Sequence, residues 1–439
     1  MRMRASFTVL NIALVLMVVP EPTLALESEL VVVTSFRKEQ SNAFIHGFEK
    51  KFPGVKVEVL NKQTPAGIKY IQETAGDDTA DLFWAFAPDA FEVLKGDGLL
   101  QKYTPKEQGI PEKIGAYPVN DPDGYYSGFA AAGYGIMYNG EYLKAKGLPE
   151  PKEWVDLSAP VHHGHVGMSA PSRSGTTHLA VETVLQGEGW TKGWALWKQI
   201  GGNLKTVTQK SFGVPEGIDK GDFGVGVVID FFGLSSRANG FPVDFVYPTM
   251  TALVPTSVAL VKNARHPDAA KAFIEYLLSR EGQRNLLRRN TLRLPVNPQS
   301  YVDAPSDFPN PFTHPIGAGV KFDVNLSRQR YDMVDSLFDI MITNRIEALR
   351  EATKSIQEAQ TALKKKPNAE AAKLVNEARK LVADTPVTAD QARDPAVASL
   401  LTKKLTRAKF EEEWGAFVER NYAAATVKAK KALSLIREM

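Results

Sequence analysis

Cysteine is missing from all 439 residues. That excludes a disulfide framework, thiolate metal sites and a lipid-bearing N-terminal cysteine. A Lys/Arg block of the nucleic-acid-binding type is missing too: 53 Lys and Arg stand against 50 Asp and Glu, and the net +3 is spread along the chain. Nucleic acid is therefore not an expected partner. Long apolar runs are scarce, and after the first 25 residues none is long enough to span a bilayer. What is present is ample core material: 44% of the residues are hydrophobic, enough in a chain of this length for two or three lobes.

The start of the chain reads as a secretory leader. Arg2 and Arg4 precede an apolar run from Phe7 to Val19, broken only by Thr8 and Asn11, and Thr23-Leu24-Ala25 supplies small residues for cleavage after Ala25. A membrane anchor would need roughly 18–20 apolar residues, whereas this run stops at Pro20 and Pro22. The expected mature protein is exported and, lacking a lipid anchor, retained in a periplasm.

Downstream, strand and helix patterns alternate. LVVVTSF at 30–36 is a β-branched strand ending in a polar turn, followed by Phe44, Phe48 and Phe52 at helical spacing. The pattern repeats with strands at 55–60 and 81–86 and helices at 65–74 and 89–95, which predicts a mainly parallel α/β sheet with ligand chemistry at the strands' carboxyl ends. GFAAAGYGIMYN at 128–139 suits a strand crossing between lobes. Further strands fall at 165–169 and 224–230, and 255–283 reads as a returning strand and then a helix with Ala269, Ala272, Phe273, Tyr276 and Leu277 on one face. After Tyr331 only helical spacing remains, as in Ile342, Ile346, Leu349, Ile356 and Leu363. This last part is expected to dock on the lobes; the alternative is a surface for a membrane partner.

SAPSRSGTTHLAVETVLQ, from Ser169, carries the strongest chemical signal. A strand and a turn deliver Ser172, Ser174, Gly175, Thr176 and Thr177 to the start of a helix, with Leu179, Ala180 and Val184 facing inward and Glu182 outward. Free N–H groups and the helix dipole favour an anion there, glycine permits close approach, and the hydroxyls add donors, a supply that suits phosphate. An ordinary cap needs only one such residue, with Ser172 or Thr176 as candidates beside Ser174. A nucleotide P-loop is excluded by the missing Gly-Lys-Ser/Thr ending.

The returning strand and helix at 255–283, the Ser35 turn and LPVNP at 294–298 resemble the type 2 periplasmic solute-binding proteins of ABC importers over about residues 28–330. The resemblance implies an α/β, two-lobed fold with a C-terminal all-helical extension: signal peptide 1–25, first lobe 28–135 plus 250–330, second lobe 136–249, extension 331–439. SRSGTTHLAVETVLQGEGWTKGW and GVGVVIDFFGLSSRANG resemble the phosphoglycerate- and sugar-phosphate-binding members. The iron-binding branch typically has two adjacent tyrosines where this chain has Phe231-Phe232, and FWAFAPD at 83–89 lacks the Glu expected near it, so ferric iron is disfavoured.

By the same resemblance, Ser172, Ser174, Gly175, Thr176 and Thr177 hold a phosphate from the second lobe, and Thr34 and Ser35 grip it from the first. Asp230 accepts from ligand hydroxyls, and Trp84 and Phe231 cover an apolar face or serve as plain core. Arg37 and Arg173 are candidates for further charge partners, the alternative being that either is simply solvated. The implied partners are a small phosphorylated ligand and an inner-membrane ABC permease, or a membrane sensor protein that the liganded form engages. No cofactor is implied. His162-His163-Gly164-His165 is a weak metal candidate without an identifiable fourth ligand. Ser174, His178 and Asp230 superficially suggest a hydrolytic triad, but neither a Gly-x-Ser-x-Gly elbow nor His-Glu-x-x-His occurs, so an enzyme is not expected.

Overall fold

The computed structural model describes residues 26–438, apart from 77–78, 107–108, 115–116, 318 and 402–403. The leader read at 1–25 lies outside these residues. Among the described residues no helix is long and apolar enough to cross a membrane.

The β-branched run forms the strand Glu29–Thr34, flanked in parallel by Lys56–Asn61 and Leu82–Ala85, with Val32 opposite Val59 and Val33 opposite Phe83. Its valines suit a strand with covered faces. Of the connecting helices, Lys38–Lys51 and Thr64–Glu73 each bury one face, with Phe44 and Phe48 in the first and Ile68 and Ile71 in the second, while Pro88–Gly96 is buried nearly all round, Asp89 and Glu92 included. A second parallel set contains Leu204–Thr208, Val166–Ser169 and Val225–Ile229.

The 13-residue strand Ser127–Asn139 joins the two sets. Its first half runs antiparallel to Leu253–Val258 and its second half antiparallel to Val225–Ile229. Small residues make this double duty feasible: a Cβ on Gly135 would stand 2.2 Å from the Val246 carbonyl oxygen, on the neighbouring strand Val243–Val246. Leu294–Pro295 adds a short pairing to the same crossing strand, at Ala131 and Ala130.

The helical extension begins at Val324, slightly ahead of the expected position, because the Asp323 carboxylate accepts from the Asn325 and Leu326 N–H groups and starts the helix Val324–Gln329. Helices Tyr331–Met341, Ile346–Lys365 and Ala369–Ala383 follow, and a 34-residue helix, Lys404–Arg437, closes the bundle. Leu349, Ala352, Ile356 and Ala359 repeat at helical spacing and are buried. The extension docks on the second lobe through the helix Trp190–Asn203. A Cβ on Gly202 would lie 2.0 Å from Thr353 Oγ1, so glycine is what lets the two helices approach.

Lys198, on the same helix, is fully buried and donates to the Ala383 and Asp384 carbonyls at 2.8 and 2.7 Å. It satisfies carbonyls that the Ala369–Ala383 helix leaves open at its C-terminus. Burial pulls its pKa down to about 7, against the attraction of Asp384. Lys198→Met is expected to cost about 1–3 kcal/mol, the penalty of unpaired buried carbonyls. Native-state hydrogen exchange should accelerate in residues 369–383 while the lobe strands keep their protection; unchanged exchange there would disprove the pinning role.

Candidate functional site

The hydroxyl-rich stretch folds as its composition suggests. Strand Val166–Ser169 runs into a 3-10 turn, Pro171–Arg173, and then the helix Gly175–Gly187. Ser174 sits in extended backbone and its Oγ accepts from the Thr177 N–H at 3.1 Å. Ser174 is thus the helix cap itself, in place of Ser172 or Thr176. Thr176 and Thr177 are buried and Ser172 is half-buried. The space at Gly175 is taken by protein: an added Cβ would lie 3.0 Å from Ala87 Cβ and from Thr64 Cβ. The helix start therefore faces the first lobe across a closed junction.

Glu182 does not point outward. It is fully buried, because the extension covers the far side of the helix and Arg330 neutralises it. Arg330 Nε lies 2.9 and 3.2 Å from the two carboxylate oxygens, and its guanidinium rests over Trp190.

The first-lobe turns meet the second lobe around a residue that the sequence reading passed over. Arg293 is 1% exposed, and its Cζ lies 4.5, 4.4 and 3.7 Å from the ring centroids of Phe36, Phe86 and Phe231. Each ring belongs to a strand-end turn: Phe36 follows Thr34-Ser35, Phe86 precedes Ala87, and Phe231 follows Asp230. Phe86 and Phe231 stack across the lobes at 5.6 Å. Nε, Nη1 and Nη2 of Arg293 have no hydrogen-bond partner among the described residues, and neither have the buried Ser35 Oγ and Tyr134 OH. An arginine inside the apolar run TLRLPV, just before LPVNP, was the available signal.

Of the other expected residues, Thr34 uses its Oγ1 to accept from the Phe36 N–H at 3.1 Å. Asp230 is buried at the start of the helix Asp230–Ala238; it accepts from Gly133 N and Tyr247 OH on one oxygen and from Phe231 N on the other. Burial raises its pKa to about 6, against these hydrogen bonds and Arg293. Trp84 lies in the first-lobe core among Phe36, Phe44, Phe129 and Phe273, away from any open face. The reason is that consecutive strand residues alternate faces, and its neighbours there are apolar.

An outer cleft of 640 Å³ opens between the lobes, with Arg37, Gln40 and Asn61 on one wall and Phe212, Glu216 and Phe232 on the other. Phe231 also lines it, so that of the expected residues this cleft brings together Arg37 and Phe231. Arg37 reaches across to Glu216 and lies over Phe212 at 4.3 Å.

Behind the junction His178 sits fully buried between two carboxylates, Asp335 of the extension at 2.7 Å from Nδ1 and Asp89 of the first lobe at 3.3 Å from Nε2. Ser327 donates to Asp89 at 2.7 Å, and the Tyr331 ring stacks on the imidazole at 4.0 Å. Burial alone would lower the His178 pKa, but Asp335, Asp89 and Glu182 raise it to about 9. Burial raises Asp89 to about 6, against His178 and Ser327. With both ring nitrogens facing carboxylates and Ser174 acting as a cap, Ser174, His178 and Asp230 do not form a relay. In the histidine-rich segment, His165 contacts the Tyr142 hydroxyl at 2.8 Å and burial lowers the pKa of His162 and His165.

Two sheets linked by a shared crossing strand, with strand-end turns converging on one junction, define a two-lobed solute-binding protein. The family model "Bacterial extracellular solute-binding protein" matches residues 77–314. The phosphoglycerate transport regulatory protein PgtC of Salmonella typhimurium is 32% identical over 395 residues, 89% of this chain and 94% of that one. The chain therefore belongs to the bacterial extracellular solute-binding proteins. Among solved structures, the periplasmic binding protein AfuA of Actinobacillus pleuropneumoniae, with fructose-6-phosphate bound, superposes with TM-score 0.66 at 21% identity, covering 72% of this chain and 99% of its own. Iron-bound HitA of Pseudomonas aeruginosa gives TM-score 0.59 at 18% identity, with 70% and 98% coverage. These two share the fold of the lobes. The likeness to PgtC is too long to omit the extension. The family and these neighbours are binding proteins.

Proposed function

We propose that the protein is a periplasmic solute-binding protein that captures a small phosphorylated organic compound, of phosphoglycerate or sugar-phosphate type, between its lobes and presents it to an inner-membrane ABC permease. The observation that carries the reading is the start of the Gly175–Gly187 helix, dense in hydroxyls and turned toward the first lobe at Ala87 and Thr64. A helix N-terminus with added donors suits a phosphoryl group. The names of PgtC and of sugar-phosphate-bound AfuA support the same ligand class. Phe231 and Phe232 offer no oxygen to a ferric ion. The binding function needs no catalytic group, and an N-terminal leader would deliver the chain to the periplasm.

A second reading, a sensor whose liganded form engages a membrane regulatory protein, is supported by the extension's contact with Asp89, two residues from Ala87, and by the regulatory function in PgtC's name. Transport of labelled ligand by cells, against induction of a target transcript, separates the two.

The binding test is a thermal-shift screen of phosphorylated three-carbon acids, hexose phosphates, phosphonates and inorganic phosphate, followed by calorimetric titration. Ser174→Ala should weaken the best ligand about ten- to a hundredfold. It should also cost about 0.5–2 kcal/mol of stability, because Ser174 caps the helix. Full affinity in a variant that merely melts early would remove the phosphate from this helix start.

A further inference from the structure

Of the basic side chains, arginine gives up its charge least readily. The closed junction surrounds Arg293 with Phe36, Phe86 and Phe231 and leaves its three nitrogens without an acceptor among the described residues. Aromatic rings attract a cation through their faces and offset part of its desolvation, yet they give its N–H edge nothing to bond to. Burial pulls the Arg293 pKa well below the ordinary arginine value, against the attraction of Asp230, and that carboxylate is already held by Gly133, Phe231 and Tyr247. A buried cation without a hydrogen-bonded counter-charge costs several kcal/mol.

The backbone adds a second sign of built purpose. Leu292 has φ 40°, a left-handed conformation that leucine adopts only at a cost. The Arg293 N–H, donating to the Leu286 carbonyl at 2.9 Å, pins the loop in that form. Two further buried hydroxyls without partners among the described residues belong to the same surroundings: Ser35 Oγ, next to Phe36 in sequence, and Tyr134 OH, which Arg293 influences electrostatically.

We infer that Arg293 is a ligand-binding residue whose guanidinium edge takes an oxyanion of the bound solute, phosphoryl or carboxylate, in two parallel hydrogen bonds. A planar fork with packed faces and free edges is the arrangement that recognises such groups. Because Phe231 comes from one lobe and Phe36 and Phe86 from the other, closure completes the ring box around the charge. The solute's anion supplies the compensation, so the closed form is favoured only when it is bound. The inference rests on the proposed capture between the lobes, but not on the solute being phosphorylated.

Calorimetric titration of the full chain and of Arg293→Gln with 3-phosphoglycerate, glycerol 3-phosphate, glycerate and orthophosphate tests it. The variant should lose at least about a hundredfold in affinity for whichever probe the parent binds, and Arg293→Lys, which keeps the charge but not the fork, about tenfold. Loss confined to glycerol 3-phosphate identifies the phosphoryl group as the partner, and loss confined to glycerate the carboxylate. If the parent binds glycerate and neither phosphate ester, the phosphorylated-ligand reading fails while Arg293 stands, provided Arg293→Gln loses glycerate. Equal affinity in parent and variant overturns the inference. Small-angle scattering without ligand decides independently of the probes: Arg293→Met should be more closed than the parent, because the charge that opposes closure is gone. An unchanged scattering profile also overturns it.

Discussion

Glu182→Ala is expected to destabilise the protein by about 3–5 kcal/mol, the usual cost of removing one partner from a buried ion pair. The carboxylate and its partner Arg330 are both buried, and Arg330 Nη2 approaches Glu182 Oε1 at 2.7 Å while Nε spans both oxygens. Without the carboxylate, the cation keeps only the face of Trp190, at 4.9 Å. A cation–π contact is worth about 0.5–2 kcal/mol, too little to compensate a desolvated guanidinium. The damage should fall where the pair lies, between the helix Gly175–Gly187 and the extension. Urea unfolding should therefore show an early transition, with exchange protection lost first in residues 324–341. The double variant Glu182→Met with Arg330→Met, which replaces both charges by apolar chains of similar length, should recover most of the loss. A cost under about 1 kcal/mol for Glu182→Ala would show that Arg330 finds another partner or water.

The same residue shows where sequence reading works and where it stops. The helix after Gly175, its hydroxyl-rich start and the crossing strand at 127–139 follow from local pattern: a β-branched or small-residue run makes a strand, and apolar residues at helical spacing make a helix. Exposure is different. Glu182 looks solvent-facing because only one face of its helix carries the apolar stripe, yet a segment about 150 residues later covers the other face and brings its own arginine. Arg293 has the same character. Its apolar neighbours in TLRLPV hint at burial, but the rings that enclose it, Phe36, Phe86 and Phe231, stand far from it in sequence. Trp84 fails in the opposite direction: a residue suited to cover a sugar is used to fill a core. Ser174 is legible as a cap candidate, but choosing it over Ser172 or Thr176 required the backbone geometry.

His178 is expected to titrate far above an ordinary histidine and to carry a pH-dependent share of the stability. Burial disfavours its charge, but the carboxylates of Asp335, Asp89 and Glu182 outweigh that and raise the pKa from 6.5 to about 9. Between those two values the folded chain holds a proton that the unfolded chain has released. Stability therefore falls as pH rises through that window. The imidazolium's contribution is fully present below pH 6.5 and gone above about 9, a range on the order of 3 kcal/mol. Asp89, raised to about 6, also favours the protonated folded chain, but its slope lies between pH 3.8 and 6, mostly below the histidine window. Lys198 acts in the opposite sense: with a folded pKa of about 7 against 10.5 unfolded, it adds stability as pH rises. A single unfolding curve thus mixes the two, and the informative quantity is the difference between the parent and His178→Gln, in which Lys198 cancels. That difference should be largest near pH 6.5 and shrink toward pH 9. The imidazole proton resonances of His178 should move with a midpoint near 9. A His178 midpoint near or below 6.5 would mean that desolvation outweighs the carboxylates. The Asp89–His178–Asp335 bridge would then be a neutral hydrogen-bonded chain, and the charged hold of the extension on the lobes would rest on the Arg330–Glu182 pair and on Lys198 at the Ala383 and Asp384 carbonyls.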